Sequence, residues 1–123
     1  MYNQYFQELK GEVKNLSGWG RTNQVKSKVV TPSNLEELQN LVKNSPNCSM
    51  IARGLGRSYG DAAQLKDGIV IDLKNFNNFK IDKERSTITA SAGSSFENIL
   101  RKIVPAGFFL PVSPGTRNVT VGG

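Results

Sequence analysis

Histidine is absent from all 123 residues, and cysteine occurs once, as Cys48. The first absence removes the usual base of a catalytic triad and the commonest metal ligand, and no metal site is expected. The second excludes an intrachain disulfide and fits a reducing, cytoplasmic compartment. Long apolar runs are also missing: nothing approaches the ~20 residues of a bilayer-spanning helix. The opening "MYNQYFQELKGEV" has no extended apolar centre and carries two acidic residues, unlike a secretion signal. Acidic residues are the minority, ten against sixteen Lys and Arg, and the resulting charge of +6 favours anionic partners without choosing among them. With 37% hydrophobic residues, a chain of this length supports one small domain rather than two.

What is present reads as an alternation of short elements. Residues 1–15 look like a weakly specified lead-in, and residues 16–123 like the domain. In "LSGWGRTNQV", Trp19 stands between Gly18 and Gly20, the usual setting of a packed aromatic plug at a turn, with Arg21 following. Ser33 and Glu36 have capping-box spacing before a helix whose apolar face is Leu35, Leu38, Leu41 and Val42, with Pro46 as its stop. "CSMIAR" and "GIVIDL" read as short buried strands. "FKID" and "TITASA" alternate apolar and polar residues around the charged "KERS", the pattern of a hairpin. A second helix follows from Phe96, Ile99, Leu100, Ile103 and Val104 on one face, with Ser94 and Glu97 at capping-box spacing and Gly107 at the end. "FFLPVSPGTRNVTVGG" starts as a strand and turns into a loop rich in glycine and proline.

The stretch "ARGLGRSYGD" is the best candidate for chemistry. Its glycines, Gly54, Gly56 and Gly60, depart from the dinucleotide-binding G-x-G-x-x-G by one extra residue, and "DAAQLKDG" is a poor sequel for the helix that motif requires. A phosphate-binding G-x-x-x-x-G-K-[ST] loop fails as well, because Ile51 stands where its first glycine belongs and Arg57 where its lysine belongs. The physics common to both motifs still applies. Glycines let successive backbone N–H groups turn inward to form a nest for phosphate oxygens, and Arg53 and Arg57 are placed to add charge-assisted bonds. Asp61 reads as a local cap of backbone N–H groups. A plain solvated turn remains the alternative.

The second loop adds Gly115, Gly122 and Gly123, the fixed angles of Pro111 and Pro114, and the hydroxyls of Thr116 and Thr120. Two segments that offer bare backbone suit an elongated ligand with a diphosphate at its middle.

Taken in order, "LSGWGRT", "ARGLGRSYGD", "VIDL" and "PVSPGTRNVTVGG" resemble the FAD-binding domain of the vanillyl-alcohol oxidase and p-cresol methylhydroxylase (PCMH-type) flavoprotein superfamily, across about residues 16 to 123. The wording of both loops is most similar to a bacterial branch that oxidises a polyprenyl-phosphate-linked ribose. The resemblance implies an α+β fold, the N-terminal part of a PCMH-type domain with a small mixed sheet and flanking helices, and it implies FAD held non-covalently. Carried over position by position, it implies that Ala52, Arg53, Gly54, Leu55, Gly56, Arg57, Ser58, Tyr59, Gly60, Asp61 and Ala62 wrap the FAD diphosphate. Gly115, Thr120, Val121, Gly122 and Gly123 would line the cofactor further along, with Tyr59 and Thr116 toward the substrate. Trp19, Gly20 and Arg21 match the opening motif and are assigned packing. In the family the cofactor site continues past the "TVGG" segment and includes a histidine, so the chain reads as the N-terminal part of a flavoenzyme, inactive alone. The substrate domain and the rest of the FAD domain would lie elsewhere. Expected partners are a small-molecule or lipid-linked sugar, with a peripheral association with the inner membrane surface and an unspecified electron acceptor. A basic nucleotide- or nucleic-acid-binding module is the rival reading. It ranks lower because Phe96, Phe108 and Phe109 follow core-like patterns rather than interleaving with Lys and Arg, so no nucleic acid is expected among the partners. A third reading is an assembly fragment without a ligand.

Overall fold

In the computed structural model, which describes residues 7–45 and 48–123, the run "GIVIDL" forms the central strand. Among the described residues there are six strands: β1 (Glu12–Leu16), β2 (Val25–Val30), β3 (Met50–Arg53), β4 (Ile69–Asp72), β5 (Phe79–Asp82) and β6 (Thr87–Ala90). Helices α1 (Leu35–Lys43) and α2 (Phe96–Ile103) join them, the second followed by a 3-10 turn at Val104–Ala106. One sheet has the order β1-β2-β4-β3, with β1 antiparallel to β2 and both β2 and β3 parallel to β4. The expected hairpin forms the second sheet, β5 against β6.

The parallel strands explain the sequence of β4. A strand flanked on both edges and covered on both faces needs an unbroken apolar run; Ile69 and Val70 are fully buried and Ile71 nearly so. Val30, Leu41, Ile69 and Ile71 form the core cluster, with Leu9, Leu38, Cys48, Met50 and Leu73 packed against it. Fully burying a side chain such as Ile69 stabilises the fold by about 1.5–3 kcal/mol, and the partly buried ones contribute less. Helix α1 contributes Leu41 and Leu38, whereas Leu35 and Val42, expected on the same face, are exposed because the helix touches the sheet along a narrow stripe.

Several expectations shift by a residue or an element. The α1 cap is Asn34, whose side chain accepts from the Glu37 N–H at 2.9 Å, while the Glu37 carboxylate takes the Ser33 N–H. The cap thus lies one position beyond the expected Ser33–Glu36 pair, and the returning carboxylate reaches the residue before it. The cap of α2 is likewise Ser95, which accepts from Asn98, and not Ser94. Ser94 is fully buried and donates to the Asn78 carbonyl at 3.0 Å. On α2, Ile99 and Ile103 are buried and Val104 is exposed, since Pro105 tightens the chain into the 3-10 turn before Gly107 ends it at φ +83. Pro46, the expected stop of α1, lies outside the described residues. The expected strand at "FFL" does not form, and Phe109 is 67% exposed rather than core. Strands β1 and β2 were not legible, and β1 crosses the lead-in boundary expected at residue 15. Its residues are mostly exposed and it is held by backbone pairing to β2, so it carries little apolar signal.

Among the described residues, no helix is long and apolar enough to cross a membrane.

Candidate cofactor site

The glycine-rich loop leaves the carboxyl end of β3, the end of a parallel sheet where ligands collect in open α/β folds. Its most telling property is what it does not bond. Among the described residues, none of the backbone N–H groups from Gly54 to Asp61 donates a hydrogen bond to the protein. Peptide N–H groups are obligatory donors, so this run of amides is available to solvent or to an anion. Gly56 sits at φ +64, in the left-handed region that only glycine enters without cost.

The loop owes its shape to a bracket of which the sequence singles out only Trp19, and then for packing. The consecutive residues Ser17, Gly18 and Trp19 hold it. The Ser17 carbonyl accepts from Arg53 Nη2 at 3.0 Å, and the Trp19 N–H donates to the Ser58 carbonyl at 2.8 Å. Gly18 lies so close that a Cβ there would overlap the Gly60 carbonyl oxygen. Trp19 itself is no buried plug: it is half exposed, and the guanidinium carbon of Arg57 lies 4.6 Å from its ring centroid, within cation–π range. Arg57 therefore remains at the surface beside the loop, where it can meet an anion.

Arg53 has a different part. Its guanidinium donates to the carbonyls of Ala63 and Ser17, and the Gly56 backbone covers it so closely that a Cβ would overlap Nη2. The side chain turns under the loop, where its hydrogen bonds are internal. Burial pushes the Arg53 pKa down, and the charge of Asp72 partly opposes that shift. Asp61 also differs from expectation: its carbonyl, not its carboxylate, is engaged, accepting from the Gln64 N–H at 3.1 Å.

The second loop comes to the same place. Residues 117–123 run back along the approach to α2. The Phe96 and Glu97 N–H groups donate to the carbonyls of Val119 and Arg117, Ser95 bridges Thr120, and Val121 and Gly122 donate to Ser94 and Ala92. Two consequences follow. The first-turn amides of α2, which a helix leaves unpaired, are already satisfied there, those of Phe96 and Glu97 by backbone and that of Asn98 by the Ser95 side chain. The amides of Val121, Gly122 and Gly123, expected to be bare, are spent on Ser94, Ala92 and Thr120. Gly122 is required by close packing, since a Cβ would stand 2.8 Å from that of Ala92.

Between the loops lies a groove of about 410 Å³, lined from one side by Arg53, Gly54 and Leu55 and from the other by Gly93, Ser95, Asn98 and Thr120. Asp72, Leu73, Lys74 and Asn77 close it. Gly54 and Thr120 meet across it, and a Cβ on Gly54 would overlap the Thr120 hydroxyl. The two segments thus converge, as the sequence led us to expect. Asn77, Gly93, Ser95 and Asn98 escaped notice because they lie at the ends of ordinary elements and form no motif. Of the remaining candidates, Ala52 is the third residue of β3, Ala62 follows the loop, and Tyr59 is 79% exposed. Gly115 has open space around it, and Thr116 accepts the Asn118 N–H at 3.1 Å. No hydrogen bond between described residues joins Tyr59 to Gly115 or Thr116.

This is the PCMH-type FAD-binding fold. A cholesterol oxidase variant of Brevibacterium sterolicum superposes with a TM-score of 0.80 at 16% identity, over 95% of this chain and 24% of that one. A BBE-like 1 variant of Physcomitrella patens superposes with a TM-score of 0.74 at 21% identity, over 86% and 24%. At those identities the likeness shows the fold alone. Residues 27–123 match the family described as FAD binding domain, and the chain belongs to that family. It is 40% identical over 120 residues to the decaprenylphosphoryl-beta-D-ribose oxidase of Mycolicibacterium smegmatis, covering 94% of this chain and 26% of the relative. It is also 30% identical over 100 residues to the FAD-linked oxidoreductase fogF of Aspergillus ruber, covering 76% and 20%. The chain spans about a quarter or less of the length of these curated relatives. It is an FAD-binding domain.

Proposed function

We propose that this domain seats the diphosphate of FAD on the amides of Gly54–Asp61 and serves an oxidoreductase acting on an alcohol carbon of a sugar. The observation that carries the reading is the run of unspent N–H groups in a loop bracketed on one side by Ser17–Trp19 and facing Thr120 on the other. Such a nest suits phosphate oxygens, and Arg57 stands beside it as the surface cation for a charge-assisted bond. Thr120 and the Gly122–Gly123 turn give the groove its far wall, contributing shape rather than donors.

Bound FAD supplies a hydride acceptor. The chain's own residues hold and orient it, with Tyr59 and Thr116 assigned to the substrate side. A non-covalent attachment is supported by the lack of a histidine in these residues and by the packing of Cys48 against the core, which leave no histidine- or cysteine-linked flavin here. The name of the mycobacterial relative supports a polyprenyl-phosphate ribose as substrate class; its lipid tail would bring a cytoplasmic enzyme to the inner membrane surface.

The test is an equilibrium titration of the purified chain with FAD, beside Gly56→Val. The wild-type chain is expected to give a weak but saturable response. In Gly56→Val the response is expected to vanish with the fold retained, because a side chain at φ +64 displaces the loop and the Arg53 guanidinium beneath it. Equal binding by both proteins would overturn the loop assignment.

A further inference from the structure

The cation beneath the loop carries one more step, which rests on the diphosphate reading above. We infer that Arg53 is a positioning residue for the diphosphate cradle: it ties both limbs of the loop from below and adds positive charge behind the amides, acting through the loop rather than by contact.

The geometry supports each half. The two outer nitrogens of the guanidinium are committed to carbonyls on opposite sides, Ala63 after the loop and Ser17 in the bracket. The Gly56 peptide lies on the same guanidinium, so the side chain sets the height of the loop at its left-handed residue. A planar fork spreads its donors to carbonyls on opposite sides while the Gly56 peptide lies against it; the compact ammonium of lysine lacks that spread. The charge is also uncompensated at short range. Among the described residues no carboxylate pairs with Arg53, and Asp72 acts on it only through space. A partly buried cation without a counterion is costly. An anion on the outer face of the loop offsets that cost, which makes diphosphate binding and the burial of Arg53 mutually supporting.

The test uses inorganic pyrophosphate as the probe and backbone amide spectra of the full chain, for wild type, Arg53→Lys and Arg53→Gln. In wild type, pyrophosphate is expected to shift the amides of Gly54–Asp61. In both variants the signals of β2 and β4 are expected to stay in place while pyrophosphate affinity falls, by about tenfold or more for the neutral glutamine. Lysine, which keeps the charge and loses the fork, is expected to fall between. A folded Arg53→Gln chain with wild-type affinity overturns the inference. So does global unfolding of both variants, which would make Arg53 a residue of the core instead of the loop. Equal losses in the two variants overturn the electrostatic half. Absence of any shift in wild type is a separate result: it overturns the diphosphate reading itself, before a variant is made.

Discussion

Gly54 and Thr120 touch across the groove, sixty-six residues apart in sequence, with no room for a methyl group on the glycine. Gly54→Ala is therefore expected to cost about 1–3 kcal/mol, the usual range for overpacking. Thr120→Ala in the same chain removes the hydroxyl that the new Cβ meets and should return part of that loss. Denaturant unfolding of the two single variants and the double variant measures the coupling; strictly additive losses would show that the contact is not made.

Trp19 is the sole tryptophan and lies beside the loop under Arg57. Its fluorescence should be quenched as FAD binds, by energy transfer to the flavin. Arg57→Ala should change the emission of the free protein and weaken FAD binding by a few-fold, the scale of one exposed charged contact. A titration in which FAD binds with no change in tryptophan emission would place the cofactor away from the bracket.

Glu97 ties α2 to the second loop. It accepts from Arg101 Nη2 at 2.9 Å, lies 3.7 Å from Arg117 Nε, and its own N–H bonds the Arg117 carbonyl. The hydrogen bond from Arg101, with help from the charges of Arg101 and Arg117, holds its pKa below the ordinary carboxylate value. A lowered carboxylate stabilises the fold at neutral pH, and that contribution is lost as the pH falls through the lowered value. The 117–123 segment should therefore loosen in acid, and less so in Glu97→Gln, which has no charge to lose. Amide exchange of Val121 and Gly122 against pH checks it.

The helix caps give a fourth outcome. Asn34→Ala should cost about 1 kcal/mol, because its side-chain oxygen accepts the Glu37 N–H. Ser33→Ala should lie within about 0.5 kcal/mol of neutral, since its contribution is a backbone N–H that alanine retains. Thermal unfolding of both variants distinguishes the two registers; the reverse order would restore the capping pair first read from the sequence.

These positions show what kind of information the sequence carries. β4 was legible because burial on both faces demands the run Ile69, Val70, Ile71. The hairpin was legible because each of its strands alternates, and α2 because its apolar residues recur at helical spacing. β1 was not, because main-chain pairing holds it and leaves its side chains free to be polar. The caps fell one residue off since Ser33 and Asn34, like Ser94 and Ser95, are adjacent residues of equal capping ability. Backbone angles choose between them.

By itself, the order of residues determined that glycines would open a loop after β3, and that none of these 123 residues offers the site a histidine. It also carried the motifs by which the family is recognised. Only the tertiary structure decided which donors are free. The amides of the first loop stay unspent because Ser17, Gly18 and Trp19 hold that loop away from other partners. Those of Val121 and Gly122 are consumed because the chain folds back on the approach to α2. Both loops are rich in glycine, so composition cannot tell them apart; hydrogen bonding to distant segments does.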